Sequence, residues 1–191
     1  NYKDHLDSDG IPRLNYHGNI GLQYNPIAIA QYALGNYNLY AQTKDQSRLD
    51  NFLNASDWLI NNLELNNSNL KVWNHHFDFE YRDTLKAPWF SGLAQGLGIS
   101  VLARAYYETK DKKYYNSCTH VWKSIITTVD KGGVLYIDSA SNYWLEEYIV
   151  DPPTHILNGF IWALWGVFDY YKFMDDNDAK DLFNKLCFSL E

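Results

Sequence analysis

The chain has 191 residues, of which 46% are hydrophobic and 20% charged, and its formal net charge is -7. This composition is typical of one globular domain, and the negative charge argues against recruitment of nucleic acid through net charge. The sequence contains no run of roughly 18 apolar residues, which argues against a membrane-spanning helix.

The sequence repeats one helical pattern three times, with a period of about 65 residues. An amide residue near the start of an apolar segment recurs at Gln31, Gln95 and Asn158. A tyrosine-rich helix end and a charged junction follow each amide. A fixed repeat of this kind predicts one supersecondary unit, here a helical hairpin, that is buried by its neighbours.

Taken in chain order, the apolar spacing predicts three helical pairs. The helices are expected from Pro26, after Asp45, and over residues 89–108, 112–129, 154–173 and 178–190. The first helix of each pair is the more apolar around its circumference and the second is amphipathic, which predicts an inner ring surrounded by an outer ring. The expected fold is all-α, an incomplete α/α toroid of three helical hairpins with short β-hairpin insertions at one end. Residues 1–191 are expected to form a single toroid domain that is a piece of a longer protein.

The second helical pair gives two more detailed expectations. The outer helix is expected to bury Tyr115, Cys118, Trp122, Ile125 and Val129. On the inner helix, Gly92, Gly96 and Gly98 permit close backbone approach. Cys118 and Cys187 fall at apolar positions and lack the spacing of a zinc site or a disulfide framework, so no metal site is expected.

Two extended segments lead into inner helices. Residues 72–81 alternate between apolar and polar side chains, which predicts a strand. Residues 133–137 and 143–150 are expected to form two strands around the polar turn 138–142. Both segments should gather at the end of the toroid where the inner helices begin. The positive helix N-termini at that end would attract carboxylates and sulfates.

The candidate chemistry lies in these extended segments. Glu147 beside Tyr148 could supply a base and an acid, although a Glu-Glu-Tyr run is usually a solvated strand edge. Arg82, His75 and Trp89 form a second candidate cluster, because Arg can hold a uronate carboxylate and Trp can stack on a pyranose. A lone His is more often structural. The remaining candidates for substrate binding are Gln31, Gln95, Trp144 and Asn158, and the three amides could equally cap or bridge helices.

Four motifs, taken in order, resemble the D-glucuronyl C5-epimerase C-terminal domain family. They are Asn25–Tyr32, Ala94–Gly96, Arg104–Tyr106 with Thr109–Asp111, and Glu146–Tyr148 followed by Leu157–Phe160. The resemblance implies an α/α toroid that acts on a glucuronate-containing polysaccharide of the heparosan or heparan type. It also implies an isomerase that inverts C5 between D-glucuronate and L-iduronate without an organic cofactor.

The resemblance assigns catalytic roles to Glu147 and Tyr148. Tyr24 is the nearest counterpart of a further catalytic tyrosine near the first inner helix. A regular strand would point Glu147 and Tyr148 to opposite faces, so both reach one site only if the strand bends, bulges or ends there. The Tyr148 hydroxyl is expected to face a cleft at the mouth formed by the inner-helix starts. The family places a further Arg and Tyr beyond the third helical pair, so this chain is expected to lack part of that site and could be inactive.

Two alternatives stay open. A uronate polysaccharide lyase shares the first proton abstraction and then expels the C4 oxygen, whereas a catalytically silent helical array would only bind carbohydrate. The expected partner is an acidic polysaccharide; no nucleic acid and no membrane segment are expected, and a homodimer is left open. A polysaccharide substrate favours a secreted or periplasmic location.

Overall fold

The structure is a computed structural model, and it describes residues 5–191. Six α-helices in this range form three consecutive pairs. They are α1 (Pro26–Thr43), α2 (Gln46–Asn61), α3 (Gly92–Thr109), α4 (Lys112–Ile126), α5 (Leu157–Met174) and α6 (Asn177–Phe188). Helix α3 packs against both α1 and α5, while α2, α4 and α6 pack mainly on α1, α3 and α5 respectively. The fold is therefore all-α, with the inner and outer helices of an incomplete α/α toroid, as predicted.

The charged junctions of the repeat are the turns of the three hairpins. Each inner helix ends at a residue with positive φ, and the next residue is an Asp whose carboxylate accepts a backbone N–H at the start of the outer helix. The residues with positive φ are Lys44, Lys110 and Asp175, and the capping residues are Asp45, Asp111 and Asp176. The repeated Lys-Asp or Asp-Asp pair is thus explained by helix capping.

Helix α3 is the centre of the fold, and glycines let α5 approach it closely. A Cβ at Gly96 would overlap the backbone of Ala163, and a Cβ at Gly166 would overlap the backbone of Gly96. Gly98 makes room for the ring of Trp73, which is fully buried. A Cβ at Gly92 would overlap the Glu146 backbone, so the predicted close backbone approach is confirmed at Gly92 and Gly96, whereas Gly98 accommodates a side chain.

Ten short strands in the described residues form five antiparallel pairs. The strands are β1 (Leu14–Asn15), β2 (Leu22–Gln23), β3 (Glu64–Leu65), β4 (Lys71–Val72), β5 (Asn74–His75), β6 (Phe79–Glu80), β7 (Thr84–Leu85), β8 (Trp89–Phe90), β9 (Leu135–Ile137) and β10 (Tyr143–Leu145). The pairs are β1–β2, β3–β4, β5–β8, β6–β7 and β9–β10.

The structure corrects two expectations about strands. The single strand expected over residues 72–81 is divided into β4, β5 and β6, because each part pairs with a different partner. The strand expected over 143–150 ends at Leu145, where its ladder with β9 ends.

The structure also corrects details of the helices. Helix α3 begins at Gly92, not at 89, because the Ser91 hydroxyl caps it by accepting from Ala94 N at 3.0 Å. On α4, Tyr114 is the buried tyrosine at 2% exposure and Tyr115 is 39% exposed. The Tyr114 hydroxyl donates to Asp57 on α2 at 2.7 Å, which fixes that residue inward. Val129 lies beyond α4, in a short 3₁₀ helix.

Candidate active site

The starts of the three inner helices converge on one group of side chains. Asn25 caps α1, accepting from Ile27 N at 2.8 Å, and its amide also donates to the Tyr16 hydroxyl. Gly92 at the start of α3 donates its N–H to the Glu146 carbonyl at 2.8 Å. Gly159 in the first turn of α5 packs against Glu147. The segment that carries the Glu-Glu-Tyr run therefore joins the beginnings of α3 and α5.

Glu146 fixes the chain where strand β10 ends. Its buried carboxylate contacts the His155 ring Nδ1 at 2.5 Å and accepts the His155 backbone N–H at 3.2 Å. The residues after Leu145 no longer alternate as in a strand, so Glu147 and Tyr148 lie beside each other while Glu146 points to His155. This is the strand end that the sequence required if both residues were to share a site.

The Glu147 carboxylate lies in a closely packed, dry position. The residue is 7% exposed, and a Cβ at position 159 would overlap its carboxylate, so this packing requires Gly159. One oxygen, Oε2, has no hydrogen-bond partner among residues 5–191. Burial raises the pKa of Glu147, and the interaction with the Tyr148 hydroxyl opposes that rise. A carboxylate in such a place is a stronger base than one in water.

An aromatic wall surrounds the half-buried Tyr148 ring. The ring centroids of Phe79, Tyr81 and Trp89 lie 5.8, 4.5 and 5.8 Å from that of Tyr148. Burial, together with the charge of Glu147, raises the pKa of Tyr148 far above its ordinary value. The phenol is therefore neutral at physiological pH and can accept a C5 proton only if it passes its own proton to a base.

His75 supports this wall from behind. Its ring stacks on Trp89 with a centroid distance of 3.9 Å and an interplanar angle of 7°. Burial lowers the pKa of His75 to about 4, so the imidazole is neutral. Neither ring nitrogen has a hydrogen-bond partner among the described residues, and the side chain is fully buried. The structure thus places His75 under the Trp89 ring, out of reach of solvent.

Arg82 holds the loop that follows Tyr148. Its guanidinium donates to the carbonyl oxygens of Asp151 and Pro152, each at 2.8 Å, and to the Asp83 carboxylate at 3.1 Å. Each of its three nitrogens therefore donates one hydrogen bond within the protein, and these contacts fix the loop.

Three residues predicted for the site, Tyr24, Trp144 and Gln95, make contacts with residues other than Glu147 and Tyr148. Tyr24 donates its hydroxyl to Asp7 at 2.6 Å, and its ring packs on Trp58 of α2. The Trp144 ring stacks on His155 at 4.5 Å. The buried Gln95 amide bonds to the backbone of Trp73 through both Oε1 and Nε2.

The other two amides, Gln31 and Asn158, have the following surroundings. Asn158 is an exposed residue at the start of α5, directly before Gly159. Gln31 lines an open cleft of about 450 Å³ between α1, α3 and α5. Trp162, Trp165 and the Arg104–Asp169 ion pair also line this cleft. A second cleft, of about 380 Å³, adjoins the Tyr148 wall at Trp89 and Ile149.

Tyr16 lies beside the candidate site and was not singled out from the sequence. It follows strand β1, and its ring packs on Phe77 at 4.5 Å and on Phe79 at 6.5 Å. Its hydroxyl accepts from Asn25 Nδ2 at 2.5 Å. No motif marks this tyrosine, because the β1–β2 pairing that brings it to the helix start is not visible in the spacing.

Two other structural features are absent from residues 5–191. No group of three or more His, Cys, Asp and Glu side chains in that range is arranged to hold a metal ion. No helix in the same range is long and apolar enough to cross a membrane.

Comparisons with known proteins give one family and several relatives. The profile of the family described as the D-glucuronyl C5-epimerase C-terminus matches residues 66–191. A D-glucuronyl C5-epimerase of Caenorhabditis elegans is 35% identical over 130 residues, which cover 66% of this chain and 21% of the relative. An uncharacterized protein of Methanocaldococcus jannaschii is 28% identical over 182 residues, 87% of this chain and 59% of the relative.

A solved structure gives the likeness in fold. The GH76 α-mannanase of Bacteroides thetaiotaomicron superposes with a TM-score of 0.62 at 19% identity, over 94% of this chain and 44% of the mannanase. The chain therefore spans less than half of this toroid, and 21% and 59% of the two relatives found by sequence.

Proposed function

This chain belongs to the family described as the D-glucuronyl C5-epimerase C-terminus, and we propose that Glu147 and Tyr148 carry an epimerase-type reaction in it. The proposed reaction inverts C5 of D-glucuronate to L-iduronate in a polysaccharide of the heparosan or heparan type. The observation that carries the proposal is the pairing of a buried carboxylate with a neutral phenol at the inner-helix starts.

The chemistry sets two requirements. The C5 proton is α to a carboxylate and is weakly acidic, so its removal needs a base and a way to offset the charge that develops on the carboxylate oxygens. The N-termini of α3 and α5 contribute partial positive charge near Glu147. These helix ends would favour both the uronate and the enediolate formed from it.

The Glu147–Tyr148 pair suits the role of base. Because the phenol is neutral, Tyr148 would take the C5 proton while it passes its own proton to Glu147. The raised pKa of Glu147 makes it a better acceptor for that proton than an ordinary carboxylate. The pair would thus act as one base whose outer atom is the Tyr148 oxygen.

The aromatic wall supports a sugar substrate. Tyr148 lies among Phe79, Tyr81 and Trp89, and the 380 Å³ cleft extends from Trp89 between neutral polar side chains such as Asn67 and Asn74. Flat aromatic faces beside amide groups are suited to pyranose rings. We therefore propose that neighbouring sugar units of the polymer occupy this cleft.

The direct test is product analysis after incubation of the chain with heparosan. NMR signals of L-iduronate would support the proposal, and ultraviolet absorbance from a 4,5-unsaturated uronate would show a lyase instead. Tyr148→Phe should lower the rate of iduronate formation roughly a hundredfold or more. The same variant should change the free energy of unfolding by at most about 1.5 kcal/mol, because only a hydroxyl is lost. Full activity of this variant would refute the assignment.

A further inference from the structure

We propose that His155 is a positioning residue of the site. It holds the loop of residues 146–155, and with it Glu147 and Tyr148, through a hydrogen bond from its ring to the buried Glu146 carboxylate. The inference rests on the proposed epimerase function and adds the contact that keeps the Glu147–Tyr148 pair in place. His155 itself takes no part in the proton transfer.

The first end of this loop is anchored by the backbone of Glu146. Its N–H donates to the Val134 carbonyl at 2.9 Å, and its own carbonyl accepts the Gly92 N–H at 2.8 Å. These bonds tie position 146 to the residue before β9 and to the start of α3. Glu147 and Tyr148 follow directly, so a movement of Glu146 displaces them as well.

The Glu146 side chain depends on His155 for its hydrogen bonds. The carboxylate is 2% exposed, and its oxygens bond to the ring Nδ1 of His155 at 2.5 Å and to the backbone N–H of the same residue at 3.2 Å. No other group among residues 5–191 hydrogen-bonds to this carboxylate. A buried carboxylate that loses a short hydrogen bond carries a large desolvation penalty. Without the Nδ1 donor, Glu146 would therefore move toward solvent.

The other end of the loop is His155, whose ring is held by aromatic side chains. It stacks on Trp144 with a centroid distance of 4.5 Å and an interplanar angle of 20°, and its centroid lies 5.4 Å from that of Tyr136. The φ of His155 is 47°, in the left-handed region that residues other than glycine adopt only where surrounding contacts hold them. The bond to Glu146 is one of these contacts, and it joins the two ends of the loop.

The donor atom of the His155 ring follows from its partner. A neutral imidazole must carry its proton on Nδ1 to bond with the carboxylate, and an imidazolium donates from the same atom. The bond therefore forms whether the ring is neutral or charged. An amide N–H placed where Nδ1 lies should serve as well as the imidazole.

Proton transfer makes the position of this loop important. The reacting atoms must approach to about 3–3.5 Å, and a misplacement of about 1 Å lowers the rate about a hundredfold. The backbone around Tyr148 is fixed by Glu146 before it and by Arg82 after it. Loss of the Glu146–His155 bond should therefore lower turnover more than substrate binding, since neither residue lines the 380 Å³ cleft.

Three variants of His155 test the proposal with heparosan as substrate. His155→Phe keeps a ring for Trp144 but has no donor, His155→Gly relieves the positive φ but has no donor, and His155→Asn restores an N–H donor. In the Phe and Gly variants, kcat for iduronate formation should fall about tenfold or more, with KM within about twofold of wild type. His155→Asn should stay within about threefold of the wild-type kcat. The control His120→Phe, at an exposed position of α4, should behave as wild type.

Hydrogen exchange gives a measurement that does not depend on activity. Backbone amides within residues 147–154 should exchange faster in His155→Phe and His155→Gly than in wild type, and at the wild-type rate in His155→Asn. Unchanged amide exchange in all three variants would overturn the positioning role. So would a wild-type kcat in His155→Phe, a kcat in His155→Asn as low as in His155→Phe, or a loss confined to KM.

The same experiments separate this inference from the proposed function. If wild type in deuterium oxide exchanges no C5 proton of heparosan, the proposed function is wrong. The amide exchange of residues 147–154 in the three variants would then still decide whether His155 holds the loop.

Discussion

At the scale of single residues, Glu147 combines a carboxylate with almost no solvent and one oxygen lacking a hydrogen bond among the described residues. Such a buried carboxylate lowers the free energy of unfolding but is suited to proton transfer, a combination that is common at functional sites. Because burial raises its pKa, the folded chain binds the Glu147 proton more tightly than the unfolded chain. This carboxylate therefore lowers stability as pH rises from its ordinary pKa through the raised one.

Glu147→Gln tests that statement. At pH 7 the variant should have a free energy of unfolding roughly 0.5–2 kcal/mol higher than wild type, since a neutral amide avoids the buried charge. The advantage should disappear below the ordinary carboxyl pKa, where Glu147 is protonated in both states. Urea unfolding at pH 7 and at a pH below the ordinary carboxyl pKa measures this difference in stability. A variant less stable than wild type at pH 7 would contradict the buried environment of Glu147.

Arg82→Ala examines the side chain that holds the loop after Tyr148. Loss of its bonds to the two backbone carbonyls should reduce epimerase activity by about tenfold or more, because Tyr148 loses its fixed position. Lys86→Ala is the matched control, since it breaks only an exposed ion pair with Asp78 and should leave activity unchanged. Equal effects of the two substitutions would argue against a positioning role for Arg82.

At the scale of elements, helix starts and strand ends decide what reaches the site. Gly159 is required because Glu147 packs directly on the first turn of α5. Gly159→Ala should displace Glu147 and destabilise the chain by about 1–3 kcal/mol. Gly35→Ala on α1 is the control: no atom outside the adjoining turns of α1 lies within 4 Å of the added Cβ, so helix propensity should stabilise the chain by about 0.5–1 kcal/mol.

Thermal unfolding of the two glycine variants gives the comparison. The two variants should change the melting temperature in opposite directions. A Gly159→Ala variant as stable and active as wild type would mean that Glu147 does not occupy the position described.

The elements were largely predictable because helical periodicity and Asp caps are local signals. The inner and outer helices follow from the spacing of apolar residues, and the hairpin turns follow from the repeated Asp after each inner helix. The burial of individual side chains on these helices could not be predicted without contacts between helices. Tyr114 is buried instead of Tyr115 because Asp57 on another helix accepts its hydroxyl.

The site was predictable only in part, for the same reason. The roles of Glu147 and Tyr148 stay predictions from the sequence, and the sequence could not show that β10 ends at Leu145, where the alternation of side chains stops. It pointed to Tyr24, the tyrosine nearest to Pro26, whereas the structure brings Tyr16 to Asn25 through a strand pair. Contacts between segments distant in sequence decided each of these outcomes.

At the scale of the whole molecule, α3 and α5 form the rigid centre that fixes the mouth. Gly96→Ala would place a methyl group on the Ala163 backbone and should destabilise the chain by about 1–3 kcal/mol. Denaturant unfolding measures this loss, and a neutral effect would contradict the close contact. The assignment of residues 1–191 to one toroid domain stays a prediction.

The structure has two candidate binding sites for a polysaccharide. One is the mouth at the helix starts, with Glu147, Tyr148 and Tyr16. The other is the cleft between α1, α3 and α5, where Trp162 and Trp165 are 46% and 54% exposed. The central claim is that the uronate binds at the mouth.

A crystal structure of Glu147→Gln with a bound heparosan hexasaccharide tests this claim most directly. We expect C5 of one glucuronate at about 3–3.5 Å from the Tyr148 hydroxyl, the separation needed for proton transfer. An oligosaccharide bound against Trp162 and Trp165, with no sugar at Tyr148, would contradict the account.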